Sequence, residues 1–463
     1  MSEQFDVIVV GAGPGGEDAT AALLRAGMSV ALVERELIGG ECFNWACVPS
    51  KAMLRAGNAL HAAQRLPGAA ARLAPQVDAL AVLAHRDDIV LHHDDSSEVE
   101  RFTAAGAAFF RGSGRLDGPR RVVLDAADGA VVLEAAHGVI LATGSVPRIP
   151  DIRGLAEAKP WTNREATSAV APPESLVVIG AGPVALELAQ AWRSLGTQHV
   201  TVLSRAATLL PRHEPFAGDL VAEALDEAGV SLHFAADVRA VSRVAGGGVS
   251  VELAGGAPLT AAEVLVATGK RSSSAGLGLA TVGVAEGGFI EVRSDMTVPG
   301  HDWLYAIGDV NGRALMTHQA SYHARIAAAA IIARAAGAEP EMLDEAEGRA
   351  VPQVIFTDPQ VASVGLTLAH ARERRLRARR VEADLGAVLG ARLHADGYRG
   401  RASITIDEDS DTIVGATFVG QDVADLLHAA TIAVAARVPR SELRHAIPSF
   451  PTISEIWLDL LVG

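Results

Sequence analysis

The amino-acid sequence predicts an α/β protein with two related parallel-sheet units and a separate α+β region toward its C-terminal end. A β-branched run, a glycine-rich turn and a helical pattern follow one another near residue 6, and the same succession recurs near residue 175. After about residue 347 the pattern changes to alternating strands separated by polar turns. At about 150 residues per domain, 463 residues allow about three domains.

The first unit, residues 6–34, has the residues that a dinucleotide-binding turn needs. Gly11 permits a tight turn, Gly13 lets the backbone approach a pyrophosphate, and Gly16 lets the helix pack closely on the strand. The second strand of the unit closes on Glu34, whose carboxylate can accept hydrogen bonds from ribose hydroxyls. The unit is therefore predicted to bind a dinucleotide.

The second unit, residues 175–203, repeats this plan with Gly180, Gly182 and Ala185 in the turn. Two such units indicate either two bound dinucleotides or a duplicated fold with one inactive copy.

The second copy ends differently, because Ser204 and Arg205 stand where an acid would meet the adenine ribose, and Arg212 follows. Arginine can bind a 2′-phosphate that an acid would repel, so NADPH is favoured over NADH. NADH remains open, since arginines at strand ends are also ordinary surface residues.

Further apolar strands end on small or acidic residues. Residues 139–144 and 264–269 both end in Ala-Thr-Gly, and each is expected to close one nucleotide-binding domain. Residues 304–309 end on Asp309, whose carboxylate can hold a ligand hydroxyl or simply form a strand-end turn. In the last region we expect strands at 403–406 and 413–420 and helices at 424–437 and 453–461, while the small residues of 320–336 predict a closely packed helix.

The only two cysteines of the chain, Cys42 and Cys47, lie five positions apart, as in a pair used together. An ideal helix would separate them by about 7.5 Å along its axis, beyond the roughly 7 Å limit between Cα atoms for an unstrained disulfide. If they bond, the backbone must be irregular, with a turn that leads into a helix after Pro49. Two inert core residues or a metal pair are the alternatives, although metal sites usually offer closer spacing and four ligands.

Composition excludes several classes of partner. There are 40 Lys and Arg against 55 Asp and Glu residues, and the net charge of −15 argues against nucleic acid and anionic membranes. The N-terminus shows no signal peptide, and the apolar runs are too short or too alanine-rich to span a bilayer. We therefore expect a cytoplasmic protein, in which a redox-cycling cysteine pair is a better interpretation than a lasting disulfide.

Taken in order, these motifs resemble the FAD-dependent pyridine nucleotide-disulfide oxidoreductases, which include dihydrolipoamide dehydrogenase, glutathione reductase, mercuric reductase and soluble transhydrogenases. The resemblance implies two Rossmann-like domains, for FAD and NAD(P), and a C-terminal α+β dimerisation domain that opens near 357–365. The implied domains are FAD-binding at 1–149, NAD(P)H-binding at 150–275, a returning FAD-binding segment at 276–346 and dimerisation at 347–463. The implied FAD-binding residues are Gly11, Gly13, Gly16, Glu34, Arg35, Gly40, Lys51, Thr143, Gly144 and Asp309. Those implied for NAD(P)H are Gly180, Gly182, Ala185, Glu187, Ser204, Arg205, Arg212 and Gly269.

The family chemistry assigns roles to the cysteine segment. Hydride from NAD(P)H would reduce the flavin, which would open the disulfide at Cys47 and leave Cys42 to attack the acceptor as a thiolate. Lys51 would lie near the flavin, paired with Glu187. The expected assembly is a homodimer that reduces a small-molecule acceptor.

The C-terminal segment departs from the family pattern, since Phe450 stands where disulfide-reducing members have a catalytic histidine, although Glu455 persists. General acid–base help of about 10²–10⁴-fold is therefore expected to be missing there, unless His445 replaces it. Mercuric reductases also lack that histidine but carry a second cysteine pair, which 460–463 do not contain. Soluble transhydrogenases share Trp45 but usually lose the second cysteine.

The predicted function is electron transfer from NADPH through FAD and the cysteine pair to an unidentified acceptor. One alternative is direct electron transfer from the flavin to a quinone or a second nucleotide, in which the thiols are dispensable. Another is reduction of a metal ion. A flavin-binding protein without catalytic activity is the least favoured interpretation.

Residues 85–95 contain three histidines, and a helix would place His85 and His92 on one face. A solvated charged helix explains them better than a metal site, and no metal is predicted.

Overall fold

The computed structural model of the chain describes residues 2–126 and 129–462. Its strands are β1 (Ser2–Val10), β2 (Val30–Glu34), β3 (Ala108–Arg111), β4 (Ser113–Leu116), β5 (Arg121–Ala126), β6 (Gly129–Leu141), β7 (Ser145–Pro147), β8 (Ser175–Ile179), β9 (His199–Leu203), β10 (Val230–His233), β11 (Val238–Arg243), β12 (Val249–Leu253), β13 (Leu259–Ala261), β14 (Glu263–Val266), β15 (Lys270–Ser272), β16 (Leu304–Ala306), β17 (Pro352–Ile355), β18 (Gln360–Gly365), β19 (Ala378–Asp384), β20 (Arg401–Asp407) and β21 (Thr412–Gly420). Its α-helices are α1 (Pro14–Arg25), α2 (Gly40–Trp45), α3 (Cys47–Gln64), α4 (Ala79–Ile89), α5 (Ser96–Ala104), α6 (Asn163–Ser168), α7 (Pro183–Ser194), α8 (Pro215–Glu227), α9 (Thr317–Ala335), α10 (Leu368–Glu373), α11 (Leu389–His394), α12 (Leu427–Ala435), α13 (Arg440–Leu443) and α14 (Ile456–Val462).

These elements form two compact units, each built from three stretches of chain. The described parts of 1–49, 87–147 and 270–347 make the first unit, and those of 50–86, 148–269 and 348–463 make the second.

The first unit is built on a seven-stranded sheet in the order β3-β2-β1-β6-β5-β4, with β16 also paired to β6. β1 lies parallel to both β2 and β6, so Val9 faces Leu32 on one side and Ile140 on the other. These central strands are buried on both faces, which explains their continuous apolar sequence. The carboxyl ends of β1, β6 and β16 therefore meet at one edge of the sheet, where dinucleotide-binding proteins place their ligand.

Helices α1 and α9 pack against each other in the first unit. Gly15 on α1 lies so close to Ala320 on α9 that an added Cβ atom would be 3.3 Å from the alanine side chain. Small residues on both helices permit this approach, as predicted for 320–336, although α9 begins three residues earlier, at Thr317.

The second unit contains a parallel sheet, β10-β9-β8-β14, and an antiparallel sheet, β11-β12-β13. Its C-terminal sheet is antiparallel throughout, in the order β17-β18-β21-β20-β19. The strands expected at 403–406 and 413–420 are β20 and β21, which pair with Ile404 opposite Ala416. The predicted fold class, mixed α/β with parallel sheets and a C-terminal α+β region, is confirmed.

Two local predictions need correction. The helix expected after Pro49 begins earlier, at Cys47, so that Pro49 lies in its first turn. Proline is tolerated there because the backbone N–H groups of the first turn have no acceptor within the helix. The helical continuation considered between His85 and His92 does not occur, since α4 ends at Ile89 and the next turn is left-handed, with His92 at φ 51°.

None of the helices in the described part of the chain combines the length and the apolar character needed to cross a bilayer.

Candidate active site

The two glycine-rich turns are stereochemically matched. Gly11 has φ +102°, and a Cβ atom there would lie 2.5 Å from the carbonyl oxygen of Ala142. Gly180 has φ +139°, and a Cβ atom there would overlap the carbonyl oxygen of Ala267. Each turn therefore passes directly over the first residue of an Ala-Thr-Gly segment. Because the contact is made by a backbone carbonyl, it fixes the position of this segment in both copies without accounting for its side chains.

The later positions of the two turns differ. A Cβ atom on Gly16 would overlap the carbonyl oxygen of Gly11, so the first copy excludes any side chain there. Ala185, the third position of the second copy, lies 3.5 Å from the Cβ that Gly180 would carry, which is an ordinary contact. Gly182 faces open space that a pyrophosphate could fill.

Glu34 supports the first turn from the end of β2. Its Oε2 accepts a hydrogen bond from the amide of Ala12 at 2.7 Å, and its Oε1 accepts one from Glu36 at 2.7 Å. The carboxylate is mostly buried, whereas the neighbouring Arg35 is exposed. Gly40 lies against the turn as well, since a Cβ atom on it would be 2.8 Å from Cα of Gly13.

Asp309 lies beyond β16, in the same unit. Its Oδ2 accepts hydrogen bonds from Ser145 Oγ at 2.6 Å and from Lys270 Nζ at 3.0 Å. Nearby, the Thr143 hydroxyl donates to the carbonyl of Ser273 at 3.1 Å, and Gly144 adopts φ +70°. In the described ranges Oδ1 of Asp309 makes no hydrogen bond, so it is free to accept one from a ligand hydroxyl.

Behind Asp309 lies a fully buried histidine. His323 Nδ1 accepts the amide N–H of Gly308 at 3.2 Å, while Nε2 is 3.8 Å from Asp344. Burial lowers the pKa of His323 to about 4 and outweighs the opposing effect of Asp344. A neutral imidazole therefore holds the turn that carries Asp309.

The glycine turn, Glu34 and Asp309 together fit an FAD molecule. An added Cβ on Gly13 would come no nearer than 3.9 Å to Gly40, so the backbone there is open to a pyrophosphate, and the free Oδ1 of Asp309 suits a ribitol hydroxyl.

The two thiols come together because the helix between them is broken. Cys42 lies in α2 and Cys47 begins α3, and Ala46 between the two helices has non-helical dihedrals of φ −131° and ψ −94°. Both sulfurs contact the same hydroxyl: Thr317 Oγ1 is 2.8 Å from Cys42 Sγ and 3.4 Å from Cys47 Sγ. The sulfurs are not bonded to each other in this structure. The irregular backbone expected at this segment is thus present.

The thiols differ in acidity. A hydrogen bond with Cys47, followed by burial, raises the pKa of Cys42, while Thr317 and the charge of Lys270 act in the opposite direction. Cys42 therefore keeps its proton to higher pH than an isolated thiol would.

In the second unit, Lys51 and Glu187 form the expected ion pair, with Nζ and Oε2 2.6 Å apart. The other oxygen of Glu187 accepts the amide N–H of Phe356 at 2.8 Å, and Lys51 Nζ lies 5.1 Å from the centre of the Phe356 ring. Glu187 is almost completely buried, so this pair is held in a fixed orientation.

The residues predicted to select NADPH follow β9. Ser204 is buried, and its hydroxyl donates to the carbonyls of Ala206 and Thr208, which shapes the loop. Arg205 and Arg212 are exposed, and within 2–126 and 129–462 neither guanidinium forms a hydrogen bond or ion pair. Gly269 closes the Ala-Thr-Gly segment with φ +111° and accepts the amide N–H of Arg148 at 2.9 Å.

At the C-terminal end, Phe450 is 72% exposed and His445 is also exposed. Glu455 accepts the amide N–H of Gly390 at 3.3 Å, which is a local contact within the second unit.

Sequence comparison matches residues 5–324 to the pyridine nucleotide-disulphide oxidoreductase model and 351–460 to the dimerisation-domain model of the same family. The chain belongs to the pyridine nucleotide-disulphide oxidoreductases. Members of this family depend on FAD and bind NAD(P). The predicted family, a family of redox-active disulfide enzymes, and the predicted enzyme class are thereby confirmed.

Relatives within the oxidoreductase family cover nearly the whole chain. Dihydrolipoyl dehydrogenase 3 of Pseudomonas aeruginosa is 34% identical over 472 residues, with 98% of this chain and 97% of the relative covered. A mercuric reductase of Streptomyces lividans is 32% identical over 467 residues, with 97% of this chain and 94% of the relative covered. The fold is shared with a solved structure, the Cu(II) complex of the HOCl-induced flavoprotein disulfide reductase RclA from Escherichia coli. It superposes with a TM-score of 0.85 at 22% sequence identity, with 100% of this chain and 99% of that chain covered.

Three residues of this oxidoreductase site were missed by sequence reasoning: Lys270, Thr317 and His323. Lys270 directly follows the second Ala-Thr-Gly segment, and that position was the one available signal. Among the described residues, no group of three or more His, Cys, Asp or Glu side chains could hold a metal ion.

Proposed function

We propose that this enzyme oxidises NADPH and passes the electrons through FAD and the Cys42–Cys47 pair to a small-molecule acceptor. The observation that carries the proposal is the convergence of the only two cysteines on Thr317 Oγ1, at the start of α9. The redox cofactor supplies hydride acceptance when bound; the chain holds it through the Gly11 turn and Asp309.

The protein groups divide the remaining work. Opening a Cys42–Cys47 disulfide with two electrons yields two thiolates, one of which takes up a proton. The raised pKa of Cys42 supports Cys42 as that proton carrier and Cys47 as the remaining thiolate. Lys51 and Glu187 form a rigid charged pair suited to orienting the nicotinamide end of NADPH.

The identity of the acceptor depends on the C-terminal segment. An exposed aromatic side chain, Phe450, occupies the position of the family's general base, and Glu455 is engaged with Gly390. A metal ion, whose reduction takes up no proton, is therefore favoured over a disulfide, whose reduction to two thiols takes up two. A relative named mercuric reductase supports including Hg(II) among the acceptors tested.

Assembly as a homodimer is part of the proposal, supported by the match of 351–460 to the family's dimerisation domain. Ile447 and Phe450 are 87% and 72% exposed in the isolated chain, as expected for apolar residues that a second copy covers.

The test of the thiol route is Cys42→Ser assayed with NADPH against lipoamide, glutathione disulfide, quinones and Hg(II). Wild type should turn over at least one of these acceptors, and the variant should lose about 10²-fold or more of that activity, because Cys47 alone cannot form the disulfide through which the electrons pass. Equal turnover by wild type and Cys42→Ser would contradict the dithiol route and favour direct transfer from the flavin.

The preference for NADPH is tested by Arg205→Gln. Loss of a guanidinium that pairs with the 2′-phosphate should raise KM for NADPH about 10-fold and leave KM for NADH unchanged. Arg239→Gln, at an exposed position of β11 in the same unit, is the control. A parallel rise in KM for both nucleotides, or none for either, would contradict the assignment.

A further inference from the structure

A cavity of about 700 Å³ lies entirely within the second compact unit. Helices α3, α7 and α8 form its sides, and the segments just before β18 and just after β21 complete its wall. Its volume is within the range of sites that hold small organic ligands, about 300–1,000 Å³. Its lining residues are separate from those assigned to FAD, NADPH and the thiols, so the cavity has no role in the proposed electron transfer.

The wall of the cavity at Asp358 is held in place by two helices. Gln190 on α7 donates its Nε2 to the carbonyl of Asp358 at 2.9 Å, and its Oε1 accepts the amide N–H of Asp358 at 2.7 Å. Asn58 on α3 donates to the carbonyl of Phe356 at 3.2 Å. The Asp358 side chain is only 9% exposed. Its carboxylate therefore has a fixed direction before any ligand binds.

His61 on α3 lines the cavity and is oriented by this carboxylate. Its Nδ1 lies 2.5 Å from Oδ2 of Asp358, and because an ionised carboxylate can only accept a hydrogen bond, Nδ1 is the donor. The other nitrogen of the neutral imidazole, Nε2, is then an acceptor. Within 2–126 and 129–462 this nitrogen makes no hydrogen bond, and the side chain is 55% exposed. His61 can therefore accept a hydrogen bond from a ligand.

The charges around the cavity are balanced. Three arginines and three acids line it, namely Arg65, Arg193, Arg399, Asp358, Glu223 and Glu227. Arg399 pairs with Glu227 at 2.6 Å, and Arg65 lies 3.8 Å from Asp358. Glu223 forms no hydrogen bond or ion pair with any residue that the structure describes. The cavity thus favours a ligand without net charge, and the Glu223 carboxylate is a second free acceptor.

We propose that this cavity is a binding site for a neutral, hydroxyl-rich small molecule of the size of a nucleoside or a disaccharide. Hydroxyl groups can donate to both free acceptors, His61 Nε2 and the Glu223 carboxylate, without adding charge. The amide side chains of Gln64 and Gln198, which also line the cavity, can donate to and accept from further hydroxyls.

Binding is tested with two probes, adenosine and trehalose, in saturation-transfer NMR titrations of the holoenzyme. NADP⁺ is kept saturating, so that adenosine cannot enter the nucleotide site. Wild type is compared with His61→Ala and Glu223→Gln, which each remove one acceptor, and with Ala224→Phe, which fills the cavity from α8. Asp219→Asn changes an exposed carboxylate of the same helix outside the cavity and is the control.

Wild type should bind at least one probe saturably, and the probe that binds distinguishes a nucleoside site from a disaccharide site. Ala224→Phe should abolish this binding, His61→Ala and Glu223→Gln should each raise Kd about 10-fold, and Asp219→Asn should leave Kd unchanged.

The proposal would be overturned if wild type bound neither probe, if Ala224→Phe bound as wild type does, or if both acceptor variants kept the wild-type Kd. If His61→Ala does not fold, because Asp358 loses its partner, Glu223→Gln and Ala224→Phe decide the question. Binding requires no turnover, so the result is independent of the assay on Cys42→Ser.

Discussion

Two side chains near Asp309 support the same turn, but one, His323, is neutral and the other, Lys270, is charged. His323 is fully buried and neutral, with Nδ1 committed to the amide of Gly308. Lys270 contacts the carboxylate itself and remains charged. A charged imidazole could not accept the Gly308 N–H, so the turn depends on the histidine staying neutral.

Stability should depend on pH through His323. Its folded pKa of about 4 lies below the ordinary 6.5, so the unfolded chain binds the proton first. The neutral imidazole therefore contributes about 3 kcal/mol to the free energy of unfolding above pH 6.5, and this contribution is lost as the pH falls toward 4. His323→Gln should remove this part of the pH dependence of the unfolding free energy, measured by urea unfolding between pH 7.5 and 4.

His445→Gln, which changes an exposed histidine, is the control and should keep the wild-type slope. If His323→Gln unfolds with the same pH slope as wild type, the imidazole is not held neutral in the fold.

Among the structural elements, the break between α2 and α3 and the start of α9 create the site. The broken helix brings Cys42 near Cys47, and the first residue of α9 presents its hydroxyl to both sulfurs. The glycine-rich turns also depend on residues that are distant in sequence. Each lies against the backbone carbonyl of the residue that follows a strand, about 90 to 130 residues further along the chain.

The two copies of the turn predict opposite tolerance at the third position. Gly16→Ala should destabilise the protein by about 3 kcal/mol or more and reduce FAD retention, because its Cβ overlaps the Gly11 carbonyl. Ala185→Gly, at the equivalent position of the second copy, should cost no more than about 1 kcal/mol. Thermal unfolding and FAD content of both variants check this contrast, and equal effects would show that the steric difference does not matter.

The sequence was sufficient to predict motifs whose residues are adjacent in the chain. The turns at Gly11 and Gly180, the strands around them and the cysteine pair follow from local spacing. Lys270, Thr317 and His323 could not be predicted, because each acts on residues that only the folded sheet brings near. The turn at His92 was missed because three successive left-handed residues have no local sequence signature.

At the scale of the whole molecule, each compact unit contains a parallel sheet whose glycine turn crosses an Ala-Thr-Gly segment. Differences between the copies indicate different ligands: the first ends its second strand on a buried Glu34, and the second continues to two exposed arginines. This division is one reason for proposing FAD in the first unit and NADPH in the second.

Transfer of electrons from NADPH to the cysteine pair can be measured by counting thiols. Oxidised holoenzyme is mixed anaerobically with one equivalent of NADPH, alkylated, and analysed by intact mass. Because the chain has only two cysteines, we expect two added alkyl groups after NADPH and none before it. Reduction of the flavin by NADPH with no increase in alkylation at Cys42 and Cys47 would contradict it.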